Sequence, residues 1–177
     1  MIREVTMLAI LFVLFAVGFR FLPHPLAFTP VAAALLYFGA RMPRKYVWIP
    51  VALLAASDLI LTKLVYGYAL PADTFISWAW YLAIVLFGGV LMTNSKPWRV
   101  LGAALGASVS FFIISNFGVW AAWAMYPKTL GGLTAAYVAG LPFFRNDLAG
   151  DLVFTAVFFG IGHLVHDWAE RKAHAAA

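Results

Sequence analysis

The sequence predicts an all-α integral membrane protein, a compact bundle of six transmembrane helices in a single domain over residues 1–177. Hydrophobic residues make up 64% of the 177 residues, and charged residues only 11%. The apolar residues come in long runs, and each run approaches the length that crosses a hydrocarbon core of ~30 Å. The charged residues collect in short segments between the runs, as expected for loops at a membrane surface.

The first run is expected to be a retained helix over residues 5–21. A cleaved signal peptide needs a small-residue cleavage site after its apolar part, whereas this run ends in Gly-Phe-Arg-Phe-Leu-Pro. In the fifth span, Gly102/Gly106 and Ala103/Ala107 at four-residue spacing favour close packing, within the bundle or against a partner. The spans after the first are expected at residues 29–42, 47–65, 74–92, 100–122 and 147–166.

The second span is short and follows a proline-rich segment. Residues 30–42 give only ~20 Å of helix at ~1.5 Å per residue, and Pro23, Pro25 and Pro30 prevent a regular helix before it. Irregular backbone at membrane depth is tolerated only where it is buried in protein or lines a wet cavity. Thr29 is expected to cap the helix, whose free N–H groups favour an anionic or carbonyl-rich ligand. A proline-stiffened loop without a ligand fits the same residues.

The longest connection joins the fifth and sixth spans. Its apolar stretch at residues 130–141 would give ~18 Å as a helix, which is too short to span the membrane. We expect a short helix that lies on or dips into the outer face, followed by Asn146 as the cap of the sixth helix. Asp147 then stands at the start of that helix, where its negative charge suits the helix dipole.

Lysine and arginine set the expected orientation. With both termini in the cytoplasm, eight basic residues fall on the inner side and four on the outer side, in line with the positive-inside rule. This bias explains the formal charge of +5 without a nucleic-acid partner. We therefore expect a multi-pass membrane protein with both termini in the cytoplasm. The inner set is Arg3, Arg41, Arg44, Lys45, Lys96, Arg99, Arg171 and Lys172, and the outer set is Arg20, Lys63, Lys128 and Arg145.

Polar residues that interrupt the apolar runs map to the end predicted to face outward. A carboxylate such as Asp58 inside a span is costly unless it is solvated or paired, so we expect it to bind a ligand or a proton, or to pair with Arg145 or Lys63. Asn116 offers donors and acceptors and Trp120 a stacking face, unless both serve helix packing. Asp151 binds a ligand or pairs with Arg145. The candidate substrate-binding residues are His24, Thr29, Asp58, Asn116, Trp120, Arg145 and Asp151.

No catalytic, metal or cofactor site is expected, and we do not expect an enzyme. His163 and His166 have metal-like spacing, but this single cluster lacks further ligands and is better explained as a polar cap at the interface. The chain has no glycine-rich phosphate loop and no credible Ser–His–Asp arrangement. It has no cysteines, which excludes disulfides and thiol chemistry.

Four segments carry a resemblance to known proteins. They are Phe-Thr-Pro-Val-Ala-Ala at residues 28–33, Ser-Asp-Leu at 57–59, Ser-Asn-Phe-Gly-Val-Trp at 115–120 and Pro-Phe-Phe-Arg-Asn-Asp-Leu at 142–148. In this order they resemble an uncharacterised bacterial family of six-helix proteins classed with transport proteins. That family is similar to the S components of energy-coupling factor (ECF) vitamin transporters. The resemblance covers nearly the whole chain.

The resemblance implies a ligand site near the outer face, under the loops that join helices one and two, three and four, and five and six. The expected function is therefore substrate capture for the uptake of a small, vitamin-like solute, with a transmembrane coupling subunit and ATPases as partners. S components dock through small residues on the first helix, where this chain has no four-spaced alanine pair. Action alone or with a different partner stays open. The alternative function is a structural subunit of a larger membrane complex, without a ligand.

Overall fold

Six α-helices and three short helical turns make up the regular structure of residues 2–91 and 94–175, which a computed structural model describes. A 3-10 turn at Arg44–Tyr46 precedes α3, a π-helical turn at Ile60–Val65 extends it, and a 3-10 turn at Gly89–Leu91 follows α4. The predicted end of the fourth span at Met92 lies outside the described residues. The α-helices are α1 (Ile2–Phe19), α2 (Val31–Arg41), α3 (Trp48–Leu59), α4 (Thr74–Gly88), α5 (Pro97–Ala122) and α6 (Leu130–Ala175).

Length and composition mark this bundle as a membrane protein. Four helical segments of the described chain are long and apolar enough to cross a membrane: Arg44–Val65, Thr74–Leu91, Pro97–Ala122 and Leu130–Ala175. The apolar helices Glu4–Phe19 and Val31–Arg41 are shorter. The prediction of a membrane helical bundle is therefore confirmed at this level, and the second helix is as short as the sequence indicated.

The short helix α2 forms the centre of the bundle. Every residue of 31–40 is buried, because α1, α4, α5 and α6 surround a helix that is apolar on all sides. Glycines allow α4 to approach it closely: a Cβ at Gly88 would lie 2.5 Å from the carbonyl oxygen of Leu36, and one at Gly39 would overlap that of Val85. Neither position can accept a side chain without moving a backbone.

The last helix is one continuous element. α6 runs through residues 130–146 without a break and includes Pro142, so the predicted separate surface helix and the cap at Asn146 are both wrong. At ~1.5 Å per residue the 46 residues of α6 reach ~69 Å. α6 packs antiparallel along α5, and the Tyr137 hydroxyl donates to the Ile113 carbonyl at 2.9 Å. This packing holds the helix together through its proline.

Small residues on α5 face two directions. Ala103 and Ala107 are buried within the bundle, as the four-residue spacing predicted. Gly102 and Gly106 are exposed, and a Cβ at either position would meet no described atom within 4 Å. Only the alanine pair therefore serves packing inside this chain.

The bundle has two ends that differ in their residues. The proline end holds residues 20–30 between α1 and α2, and the arginine end holds Arg41, the turn Arg44–Tyr46 and the start of α5. α5 runs from the arginine end toward the proline end, and α6 returns.

Candidate functional site

The irregular segment at residues 20–30 lies against the middle of α6. The Asn146 side-chain amide donates to the Leu26 carbonyl at 3.0 Å. Gly150 allows the segment to come close, because a Cβ there would lie 3.1 Å from the Thr29 backbone nitrogen. α2 begins at Val31 with Pro30 in the capping position and no side-chain cap, so the prediction of Thr29 as the cap is wrong. The predicted irregular backbone is present, and it borders a cavity.

Two adjoining cavities lie beneath this segment. The larger has a volume of about 280 Å³ and the smaller about 190 Å³, and both are lined by Ala27, Phe111 and Asp147. Aromatic and aliphatic side chains form most of the walls, with a few polar groups among them, as in many sites for small molecules. The larger cavity is also lined by Arg20, Thr29, Val31, Ala32, Trp80, Tyr81 and Asp151, and the smaller by Phe112, Ser115, Asn116, Gly140, Phe143 and Phe144.

Two carboxylates of α6 face the larger cavity. Asp151 is only 2% exposed, and one of its oxygens accepts a hydrogen bond from the Ser108 hydroxyl at 2.7 Å. Asp147 lies one turn earlier on the same face, and its Oδ2 is buried with no hydrogen-bond partner among the described residues. No basic side chain of the described chain forms a salt bridge with either carboxylate. The predicted role of Asp147 at a helix start is wrong, since both residues lie in the middle of α6.

Asp58 belongs to a separate network at the edge of the larger cavity. It forms an ion pair with Arg20 and accepts a hydrogen bond from the Trp78 indole at 2.9 Å. Arg20 also donates to the Ser57 hydroxyl at 2.6 Å. The predicted alternatives, in which Asp58 pairs with Arg145 or Lys63, are therefore wrong. Arg20 lines the cavity, but Asp58 already balances its charge.

Asn116 lies in the wall of the smaller cavity. Its side-chain amide donates to the Phe112 carbonyl one turn earlier at 2.8 Å. Its amide packs against Gly140, where a Cβ would lie 2.8 Å from the Asn116 Cγ. Asn116 is therefore held by α5 and α6 together at the cavity surface.

Three other candidates lie outside the lining of both cavities. The Trp120 indole donates to the Pro127 carbonyl at 2.9 Å, with the Lys128 ammonium 5.6 Å from its ring centroid. His24 Nδ1 lies 2.7 Å from the Leu22 carbonyl oxygen. Arg145 is exposed and forms no salt bridge with Asp151 among the described residues, contrary to the predicted pairing.

The structure thus brings Thr29, Asn116 and Asp151 to the adjoining cavities and leaves His24, Asp58, Trp120 and Arg145 outside their lining. Sequence reasoning missed Arg20 and Tyr81 as lining residues and assigned Asp147 a structural role. The i, i+4 spacing of Asp147 and Asp151 was the available signal, because it indicates a shared helix face. His163 and His166 each lie 3.3 Å from a carboxylate oxygen one turn later, of Asp167 and Glu170.

Comparison with known proteins gives a family without an assigned activity. A family model described as "Family of unknown function (DUF6580)" matches residues 2–175. No curated protein and no solved structure matches the chain.

Proposed function

The chain belongs to this DUF6580 family, and on that premise we propose that it captures a small, positively charged organic solute in the cavities at its proline end. It does so as the membrane-embedded binding subunit of an uptake transporter. The resemblance to ECF S components supports a multi-pass protein of the bacterial inner membrane with both termini in the cytoplasm. The proline end then faces outward, where it meets the solute.

The observation that carries this proposal is the pair of carboxylates at Asp147 and Asp151. Arg20 and Asp58 balance each other, and the start of α2, whose first residues line the larger cavity, supplies about half a positive charge at most. When ionised, the two carboxylates therefore exceed the positive charge around them. Because a lone buried carboxyl becomes neutral unless its charge has a partner, a cationic group of the solute would supply the partner that favours the ionised form.

The remaining walls indicate what the rest of the solute looks like. Trp80 and Phe111 pack with their ring centroids 4.8 Å apart, and both line the larger cavity. The Trp80 indole donates to the Ser110 hydroxyl at 3.0 Å, which fixes the ring plane. Asn116 offers a further polar contact in the adjoining cavity. We infer a solute with a compact apolar or aromatic body and one protonated amine or other cationic nitrogen.

A cationic solute differs from the anionic or carbonyl-rich ligand that the sequence predicted. The start of α2 alone favoured an anion, since free N–H groups carry partial positive charge. Asp147 and Asp151 face the same cavity as that helix start, and when ionised their charges outweigh a partial one. An anionic solute would then meet like charge, which is unfavourable at low dielectric.

The test is retention of solutes by the purified protein in lipid nanodiscs. The protein is mixed with size-matched sets of small amines, their neutral amide analogues and carboxylic acids, freed of unbound solute, and assayed by mass spectrometry. We expect amines to be retained and the other two sets to be lost. The variants D147N and D151N should each weaken retention about 10-fold to 100-fold, the worth of a hydrogen bond to a charged group.

The matched control is D73N, which changes a carboxylate that bonds the Trp123 indole at 3.2 Å outside the cavity lining. The D73N protein should retain amines as well as the unchanged protein does. Equal retention of amines and amides would contradict the cationic solute. No retention at all, in a protein that co-purifies with a larger complex, would support the structural-subunit alternative.

A further inference from the structure

A third cavity lies at the arginine end, beside the end of α2, whereas the start of α2 lines the solute site. Its volume is about 470 Å³, larger than either cavity at the proline end. The end of α2, the start of α5 and the later part of α6 enclose it. Its polar lining comes from Arg41, Ser95, Thr155 and His163. None of these residues lines the cavities at the proline end.

The polar part of this cavity is positively charged. The Arg41 Nε is buried and has no hydrogen-bond partner in the described part of the chain, and its guanidinium carbon lies 5.7 Å from the Tyr37 ring centroid. α5 begins at Pro97, which also lines the cavity, so the positive end of that helix dipole lies beside it. No Asp or Glu of the described chain lines the cavity. His163 is exposed at the rim and contacts Asp167.

The deeper part of the cavity is an apolar groove between α5 and α6. Val100, Leu101 and Ala104 form one wall, and Leu152 and Phe159 the other. From residue 97 to residue 104 the groove extends ~10 Å along α5 at ~1.5 Å per residue. A groove of this shape has room for part of a hydrocarbon chain that enters from the surrounding bilayer.

One buried hydroxyl interrupts this apolar wall. Thr155 is 2% exposed, and its Oγ1 has no hydrogen-bond partner in the part of the chain that the structure describes. A buried hydroxyl without a partner costs free energy, so an acceptor is expected beside it. The lining therefore offers two donors without a partner in the described chain: the cationic Arg41 near the mouth and the neutral Thr155 hydroxyl deeper in the groove.

We propose that this cavity binds one anionic phospholipid. Its phosphate lies beside the start of α5 and accepts hydrogen bonds from Arg41 at the end of α2. One acyl chain lies in the groove between α5 and α6, and an ester carbonyl accepts a hydrogen bond from Thr155. Charge complementarity selects this occupant, because basic pockets between membrane helices bind anionic headgroups. Other basic residues lie at the same end, among them Arg44, Lys45 and Arg99.

Lipid binding in this cavity is independent of the solute site. The test is native mass spectrometry of the protein titrated in detergent with phosphatidylglycerol, phosphatidylcholine or inorganic phosphate. Phosphatidylglycerol should bind about fivefold more tightly than phosphatidylcholine, the factor expected of one basic residue near a membrane surface. Inorganic phosphate should not compete at equal concentration, because it lacks the chain that fills the groove.

Variants separate the lipid site from general charge effects. R41Q should abolish the preference for phosphatidylglycerol, and R41K should keep it, which shows that the loss is one of charge rather than of folding. T155V, which replaces only the hydroxyl with a methyl group, should weaken the binding of both lipids. The control R44Q changes an exposed arginine on the neighbouring turn and should leave binding unchanged.

Three results would overturn the assignment. They are equal affinity for the two lipids, displacement of lipid by inorganic phosphate at equal concentration, and the same loss of preference in R44Q as in R41Q. Displacement by phosphate would identify a site for a soluble anion instead.

Discussion

Replacing Asp58 with asparagine should destabilise the folded protein by about 3 kcal/mol. The side chains of Arg20 and Asp58 are only 17% and 12% exposed, and removing one partner of a buried ion pair costs about 3–5 kcal/mol because the other charge stays buried. Because both side chains keep a small exposure to solvent, the expected loss of stability lies at the lower end of this range. Asparagine keeps the size of the side chain and an oxygen that can accept from the Trp78 indole, so the ion pair is the main loss.

The assay is reversible unfolding in mixed micelles at increasing fractions of a denaturing detergent, followed by tryptophan fluorescence. The matched control is D73N, which changes another carboxylate bonded to an indole, that of Trp123, in a hydrogen bond that is open to solvent. It should cost less than about 1 kcal/mol. A double variant, R20Q with D58N, should recover part of the loss, since no unpaired charge remains. A D58N protein as stable as D73N would refute this reasoning.

Two further changes test the packing. G88A should lower the free energy of unfolding by at least about 1–3 kcal/mol, because its Cβ would lie 2.5 Å from the Leu36 carbonyl oxygen. G102A adds a Cβ in open space and should be neutral or slightly stabilising in the same unfolding assay. Equal effects of the two variants would contradict the close approach of α2 and α4. N146A removes the hydrogen bond to the Leu26 carbonyl at 3.0 Å and should destabilise the segment by about 1 kcal/mol. The expected sign of this loss is faster amide hydrogen exchange in residues 20–30. Unchanged exchange would show that this contact does not hold the segment.

The short second helix and the irregular segment before it could be predicted from sequence. Proline restricts its own backbone and that of the preceding residue, so Pro23, Pro25 and Pro30 exclude a regular helix whatever surrounds them. The apolar run between Pro30 and Arg41 is long enough only for a short helix. Local backbone chemistry decides both features, and no knowledge of distant contacts is needed.

The continuity of α6 could not be predicted in the same way. Pro142 and the polar residues after it resemble a loop followed by a new helix, because proline in a helix interior normally breaks it. Contacts with α5, such as Tyr137 with Ile113, override that local signal. Asn146, which resembled a cap, instead fastens the proline segment to the middle of the helix.

The partner of Asp58 also lay beyond sequence reasoning. Arg20 is 38 residues away along the chain, and no spacing rule connects a loop residue to the end of another helix. The two carboxylates on α6 were recognisable as one helix face. Their place in a cavity whose arginine, Arg20, already pairs with Asp58 emerges only when α1, α2 and α5 are packed around them.

The most direct test of the central claim is native mass spectrometry of the protein gently extracted from its own membranes, run beside the D151N variant. We expect the unchanged protein to carry one small molecule whose released form contains a cationic nitrogen, and D151N to carry none. A ligand-free unchanged protein, or a ligand that D151N retains equally well, would contradict solute capture by the carboxylates of α6.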